Sequence, residues 1–156
     1  QRRTVMINHE EKAHELFKQG YNCAQSVFAA FCDVTGMDFE TAIKLTSGFG
    51  AGMGGMRDTC GAVTGMFMVA DMLYGYTDPQ ATAEKAAHYA TIRKLAEQFK
   101  EENQSLMCRD LLAFCKKAQQ PMERTDAYYA ERPCTRLVMD AARLLDNLIA
   151  ERGLNK

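Results

Sequence analysis

Residues 48–75 read GFGAGMGGMRDTCGAVTGMFMVADMLYG and join a glycine-rich segment to an apolar helical pattern. Five of the eleven glycines lie between Gly48 and Gly55, and Cys60 follows where the apolar pattern begins. Glycine permits positive φ and close approach of the backbone, and a loop that ends at a helix start presents free N–H groups that favour an anion. We therefore predict that the loop delivers the Cys60 thiolate to the N-terminus of a central helix over 60–74.

Length and composition indicate one globular domain. The 156 residues are 47% hydrophobic and 25% charged, which is ordinary for a folded domain. The net charge of −1 gives no basic surface for nucleic acid, and no run of about 18 apolar residues predicts a membrane span. Because no apolar segment follows Gln1-Arg2-Arg3, we do not expect these residues to be a secretory or twin-arginine signal. We expect residues 1–8 to be a flexible N-terminus or a remnant of a longer or tagged chain, 9–152 to form the single domain, and the location to be cytoplasmic.

Periodicity predicts an all-α fold, a compact bundle of about six helices. No segment alternates as a strand does, whereas apolar residues recur at helical spacing between capping residues. Gly61 and Gly65, four residues apart, would let another helix or a bound group come close to the central helix. The predicted helices cover 9–19, 23–33, 38–46, 60–74, 79–102, 106–118 and 133–151, and Met37 or Asp38 starts the third. Asn8, Asn22, Thr59, Asp78 and Ser105 are the predicted caps. The predicted buried side of the fifth helix carries Ala83, Ala86, Ala87, Ala90, Ile92, Leu95 and Phe99.

Four of the six cysteines fall in the first turn of a predicted helix. They are Cys23, Cys60, Cys108 and Cys134. At that position the helix dipole and the free N–H groups favour the thiolate, which is the nucleophile and the metal ligand. Cys32 and Cys115 lie further inside their helices, and we expect them to be buried as small apolar side chains. Since the sequence has no C-x-x-C pair, a site built from the four would have to be assembled by the fold.

These segments resemble a family of redox-active proteins that has a C-G-A-x-x-G motif and four cysteines. The segments that carry the resemblance are Tyr21-Asn22-Cys23-Ala24-Gln25-Ser26-Val27, Gly48–Gly54, Cys60-Gly61-Ala62-Val63-Thr64-Gly65, Cys108-Arg109-Asp110-Leu111 and Cys134-Thr135-Arg136-Leu137-Val138. The resemblance implies that the four cysteines are the functional ones and that they hold a prosthetic group such as an iron–sulfur cluster. It also implies a transporter or oxidoreductase as partner. Some members of the family are exported by the twin-arginine route, and this sequence shows no such signal.

Two forms of redox function remain open from the sequence. In one, Cys23, Cys60, Cys108 and Cys134 bind an iron–sulfur cluster or another metal, and N–H groups around Gly50, Gly52, Gly54, Gly55 and Gly61 donate to the sulfurs. In the other, the cysteines cycle between dithiol and disulfide, with Cys60 as the attacking thiolate and Cys23 as the resolving thiol.

Other classes of function are also open. One is a non-catalytic metal-binding or sensing module with structural zinc, which would serve a transporter or oxidoreductase. Methionines near the loop could favour a soft metal such as copper(I), and the methionine- and alanine-rich faces could support a homodimer. A hydrolytic cysteine enzyme would need a positioned base. We expect His9, His14 and His88 to be surface residues instead, and Asp71 to face solvent.

Overall fold

Capping residues set the helix boundaries in the first third of the chain. Asn8, Asn22 and Asp38 each accept a hydrogen bond from the backbone N–H three residues later. Asn22 forms a full capping box, because the Gln25 side chain also accepts from the Asn22 N–H. The sequence predicted one helix over 23–33, but the structure has two, because the helix is broken at Phe31. Gly36, at φ 76°, ends the second of them. These local signals suffice because each uses only the residues around one helix end.

The computed structural model describes residues 8–114, 123–126 and 133–154. Within them the chain is all-α, as predicted, with no strand and one isolated antiparallel bridge between Thr59 and Met107. None of the described helices combines the length and the apolar character needed to cross a membrane. The helices are α1 (His9–Lys18), α2 (Cys23–Ala30), α3 (Cys32–Thr35), α4 (Phe39–Thr46), α5 (Gly61–Tyr74), α6 (Thr82–Asn103), α7 (Cys108–Ala113) and α8 (Cys134–Arg152).

Helix α5 lies at the centre of the bundle and packs on α2 and α8. A Cβ atom on Gly65 would lie 2.8 Å from the Ala24 carbonyl oxygen, and one on Gly61 would lie 3.1 Å from the Ala24 nitrogen. The two glycines therefore let the backbone of α2 cross close to α5. Helix α1 packs across α2 and α8, and α6 lies against α5 and α8.

Helix α6 differs from its prediction at both its start and its face. It begins at Thr82, because Asp78 accepts from the Gln80 N–H in a turn instead of capping the helix. Leu95 and Phe99 are buried as predicted and Ile92 is half-buried. The four predicted core alanines are exposed, because α6 has neighbours on one side only among the described helices: Ala83, Ala86, Ala87 and Ala90.

Two further cap predictions are wrong by one or two residues. Cys60 itself, and not Thr59, is the N-cap of α5. Met107 is the N-cap of α7, while Ser105 accepts from the Met107 N–H and donates to Asp110. The predicted extension of this helix to residue 118, which includes Cys115, and the predicted flexible residues 1–7 lie outside the described residues.

Candidate functional site

The glycine-rich segment forms a left-handed turn. Ala51, Gly52, Met53 and Gly54 have φ values of 51°, 67°, 69° and 60°. Positive φ is energetically unfavourable for Ala51 and Met53, which are not glycine, so contacts around the turn must hold them in this conformation. A Cβ atom on Gly52 would lie 2.6 Å from the Arg57 Cα and 2.7 Å from the Cys108 Cβ. Only glycine at position 52 lets the turn pack this closely against the start of α7.

A short backbone pairing ties the start of α5 to the start of α7. The Cys60 N–H donates to the Leu106 carbonyl at 2.8 Å, and the Cys108 N–H donates to the Asp58 carbonyl at 2.7 Å. The Arg109 side chain adds an ion pair to Asp58, with 2.6 Å between Nη2 and Oδ1. Two helix starts that each carry a cysteine are thereby fixed against one another.

The four cysteines at helix starts line one small cavity of about 30 Å³. Cys23, Cys108 and Cys134 are the first residues of α2, α7 and α8, and Cys60 is the N-cap of α5. Apolar side chains of α7 and α8 close the cavity, and its other lining residues are Ala51, Gly52, Arg57, Gly61, Leu111, Leu112 and Leu137. A cavity of this volume is sufficient for one or two water molecules.

Of the five glycines predicted to surround a bound group, two reach this cavity. Gly52 and Gly61 line it. Gly50 instead gives space to Asn22, whose Cβ would lie 2.5 Å from a Cβ at position 50. Gly54 and Gly55 supply positive φ in the turn and do not line the cavity.

Burial dominates the electrostatics of Cys60. It raises the pKa of the Cys60 thiol to about 12, although the N–H groups of Val63 and Ala62 at the helix start lower it. The expectation that the helix dipole and the glycine loop produce a low pKa for Cys60 is therefore wrong. The residue is 4% exposed, and nearby thiolates at Cys134 and Cys108 would add repulsion.

The pKa of the Cys23 thiol is raised well above its usual range, first by hydrogen bonding with the Cys134 side chain and then by burial of the thiol. Cys23 therefore keeps its proton at neutral pH. The two residues stand at the starts of α2 and α8, so the contact joins helices from opposite ends of the sequence.

Cys108 has a cationic neighbour. The Arg57 Nη1 donates to the Cys108 Sγ at 3.7 Å, while Asp58, whose charge would oppose that of Arg57, is engaged by Arg109. The two neighbouring charged residues therefore have different partners: Arg57 contacts Cys108, and Asp58 pairs with Arg109. The backbone of Arg57 is also left-handed, with a φ of 60°, and its guanidinium lies beside the thiol.

The four cysteine thiols are chemically suited to a soft metal, but they are not arranged to hold one. Four thiols are the ligands that zinc and iron–sulfur clusters prefer. Within 8–114, 123–126 and 133–154, however, no three His, Cys, Asp or Glu side chains are placed closely enough to hold a metal ion. None of the five described cysteines forms a disulfide. Cys32 is half-buried and does not line the cavity.

A family model described as "Putative redox-active protein (C_GCAxxG_C_C)" matches residues 21–148. The chain belongs to this family. The match begins just before Cys23 and ends within α8, so it spans all four helix-start cysteines and the glycine loop. No curated protein and no solved structure matches the chain. The description assigns a redox role to the family as a whole and names no cofactor.

Two histidines differ from their predicted surface positions. His9 is 7% exposed, stacks on Phe31 and bridges two carboxylates, with 2.6 Å from Nδ1 to Asp146 and 3.0 Å from Nε2 to Asp33. His88 is 6% exposed and its Nε2 lies 2.6 Å from Asp71, whose own side chain is exposed as expected. Neither histidine lines the cysteine cavity, so neither is placed to act as a base for these thiols. In the sequence, the carboxylate of Asp71 within an otherwise apolar helix was the feature that pointed to a polar partner, which is His88.

Proposed function

We propose that this chain is a thiol–disulfide redox protein whose active pair is Cys23 and Cys134. The observation that carries the proposal is that both thiols line one small cavity, together with Cys60 and Cys108, and Cys134 is also the main cause of the raised pKa of Cys23. Because the cavity is small, a limited movement of the helix starts would bring the two sulfurs to bonding distance. Membership of the redox-active family supports the same class of chemistry.

In the proposed reaction the chain reduces a disulfide of a partner protein. Cys134, as a thiolate, attacks one partner sulfur and releases the other as a thiolate, while Cys23 keeps its proton. The Cys23 thiol then loses its proton to the released thiolate, and its sulfur attacks Cys134 in the mixed disulfide. The second partner sulfur leaves as a thiolate and takes a proton from water. Two electrons pass to the partner, and Cys23–Cys134 is left as a disulfide.

This assignment keeps Cys23 as the resolving thiol and moves the attack from Cys60 to Cys134. The raised pKa of Cys60 removes the physical reason for an attack by that residue. Cys60 and Cys108 line the same cavity and would form a second pair, in which Cys108 lies beside the Arg57 guanidinium. The predicted cytoplasmic location suits dithiols, since that compartment keeps thiols reduced. An oxidoreductase or transporter partner and a homodimer remain predictions.

A second candidate is binding of an iron–sulfur cluster or another metal by Cys23, Cys60, Cys108 and Cys134. It is favoured by the chemistry of four thiols that line one cavity, although among the described residues no three of them are close enough to hold a metal ion without movement of the helix starts. When bound, a cluster would supply one-electron chemistry, whereas zinc would serve a structural or sensing role. Protein purified without oxygen would then absorb broadly near 400 nm and contain iron and sulfide, or would contain stoichiometric zinc.

The test of the first proposal is disulfide mapping by mass spectrometry after equilibration in glutathione buffers of defined potential. We expect a Cys23–Cys134 disulfide to appear first. Cys23→Ser should then accumulate a mixed disulfide between Cys134 and glutathione, and Cys134→Ser should not form one at Cys23 at a comparable rate. Cys32→Ser is the control and should leave the titration unchanged. Absence of the Cys23–Cys134 disulfide at oxidising potentials would refute the proposal.

A further inference from the structure

A groove opens to solvent between the C-terminal end of α5, the segment after it and the middle of α6. It has a volume of about 550 Å³ and shares no lining residue with the cysteine cavity. Asp71 and Gly75 line it from the α5 side, whereas Tyr89 and Arg93 line it from the α6 side. The groove is therefore a candidate binding surface that is separate from the four thiols.

The two sides of the groove carry opposite charges that are not paired with one another. The Arg93 guanidinium makes no ion pair or hydrogen bond in the part of the chain that the structure describes. The side chain of Asp71 is 58% exposed, and its Oδ1 lies 2.6 Å from the His88 Nε2. The Asp71 Oδ2 has no hydrogen-bond partner among the described residues. The groove therefore suits a surface that itself presents one acidic and one basic side chain.

Large apolar side chains lie exposed beside these charges. Met72, which follows Asp71 on α5, is 48% exposed, and Tyr89 is 47% exposed. Tyr76 meets the Tyr89 ring edge-on, with 6.3 Å between ring centroids, so the two rings form one wall of the groove. Protein interfaces are enriched in tyrosine, methionine and arginine relative to the rest of the surface. The side chains around the groove are therefore those of a protein–protein interface.

Helix α6 continues this surface beyond the groove. Ala86, Tyr89, Ala90 and Arg93 follow one another at i, i+3, i+4 and i+7, so they share one face of the helix, and all four are exposed. Ala86 and Ala90 are two of the alanines that the periodicity predicted as buried. A second protein surface packed on this face would bury them and would account for the apolar periodicity of this half of α6.

The geometry points to this groove as the interface of a homodimer whose two copies are related by a two-fold axis. An axis through the groove exchanges its α5 and α6 sides, so Arg93 of one copy faces Asp71 of the other, and this pair occurs twice. A second copy is the partner that fits, because the surface already carries both members of the pair. The exposed apolar side chains of the two copies, Met72 and Tyr89, pack between the pairs.

The test is sedimentation equilibrium of the full chain over a range of concentrations, with a reductant present so that no disulfide joins two chains. We expect a reversible equilibrium between the 17.5 kDa monomer and a species of twice that mass. Arg93→Glu should weaken the dimer at least about tenfold, because both cross-chain pairs become repulsive. Lys94→Glu is the matched control, since it reverses the charge of the next residue, which pairs with Glu151 outside the groove. Its dimer affinity should stay within about twofold of wild type.

A mixture of two variants tests the two-fold pairing itself. Asp71→Arg alone should also be monomeric, because it places like charges opposite one another at both pairs. An equimolar mixture of Arg93→Glu and Asp71→Arg should form a heterodimer, since the two altered side chains then face one another with opposite charges and the unaltered pair is kept. Circular dichroism checks that each variant is folded.

Tyr89→Glu is a further variant that leaves the Asp71–His88 contact intact, so it decides the question even if Asp71→Arg does not fold. It should abolish the dimer, because it places a charge on the apolar wall of the groove. A wild-type chain that stays monomeric at every concentration would overturn the proposal and leave the groove to another occupant. Equal weakening by Arg93→Glu and Lys94→Glu, no heterodimer from two folded variants, or an unchanged dimer in folded Tyr89→Glu would overturn it as well.

Discussion

Single residues show that burial can outweigh position in setting thiol chemistry. Cys60 occupies a helix start, where N–H groups favour a thiolate, yet burial raises the pKa of its thiol to about 12. Cys108 occupies the same kind of position and gains an arginine neighbour instead. The sequence could predict the position of each thiol along its helix, because capping is local. It could not predict the exposure of each thiol, because that depends on which helices pack over it.

The Cys60 thiol should therefore resist alkylation in the folded chain. With a pKa of about 12, its thiolate fraction at pH 8 is lower than that of an ordinary cysteine by roughly three orders of magnitude. Treatment of the reduced protein with iodoacetamide, followed by peptide mass spectrometry, should leave Cys60 unmodified long after unfolded protein reacts fully. The same reaction in 8 M urea is the control. Modification of native Cys60 at the rate seen in urea would contradict the pKa shift.

The helices show which parts of the fold can be predicted from the sequence. Asn8 and Asn22 were predicted as caps and act as caps, since each cap is decided within four residues. Ala86 and Ala90 were predicted as core and are exposed. Periodicity tells which residues share a face of a helix but not whether another helix covers that face. The same limit hid the His9 bridge, whose partners are 24 and 137 residues away.

Gly65→Ala should destabilise the bundle at the crossing of α2 and α5. The new Cβ would lie 2.8 Å from the Ala24 carbonyl oxygen and 3.1 Å from the Val27 Cβ, so the helices must separate. We expect a loss of roughly 1–3 kcal/mol in the free energy of unfolding, despite the better helix propensity of alanine. Urea denaturation measures it. Gly48→Ala is the control, because a Cβ there meets no atom within 4 Å, and equal stability of both variants would disprove the crossing.

The His9 bridge should make the stability of the bundle depend on pH. Burial lowers the pKa of His9, but the hydrogen bonds and charges of Asp146 and Asp33 outweigh it, so the folded pKa is raised above 6.5. A group whose pKa rises on folding stabilises the folded state fully below its unfolded pKa. That contribution is lost as the pH rises from about 6.5 through the folded pKa of His9.

The measurement is urea unfolding of wild type and His9→Gln between pH 5 and pH 9. The difference in the free energy of unfolding should be largest at the acidic end and should shrink as the pH rises. His14→Gln, on the same helix, is the control and should keep the wild-type pH dependence. A difference between wild type and His9→Gln that grows with pH would have the wrong sign for a raised pKa.

The whole molecule brings together thiols that the sequence keeps far apart. Cys23, Cys60, Cys108 and Cys134 come from four helices and meet at one cavity. Helix starts could be predicted, and the family resemblance pointed to the same four residues. Their convergence depends on how α2, α5, α7 and α8 pack, which no spacing between cysteines encodes. The left-handed turn at Ala51–Gly54 is part of this assembly, since it carries Arg57 to Cys108.

Oxidation of the proposed pair should stabilise the entire bundle. A Cys23–Cys134 disulfide would close a loop of about 110 residues and join the starts of α2 and α8. Closing a long loop removes conformations from the unfolded chain, and native disulfides typically contribute about 2–4 kcal/mol. Since both thiols line the same small cavity, the folded state should accept the bond after a limited movement of the two helix starts.

We therefore expect the urea midpoint of the oxidised chain to exceed that of the reduced chain, with a gap in the free energy of unfolding on the order of 2–4 kcal/mol. The double variant Cys23→Ser with Cys134→Ser should show the same midpoint with and without reductant. Cys32→Ser should keep the full gap, because Cys32 lies outside the cavity. If the gap persists in the double variant, another pair among the four remaining cysteines carries the redox chemistry, and the assignment of the exchange reaction to Cys23 and Cys134 is wrong.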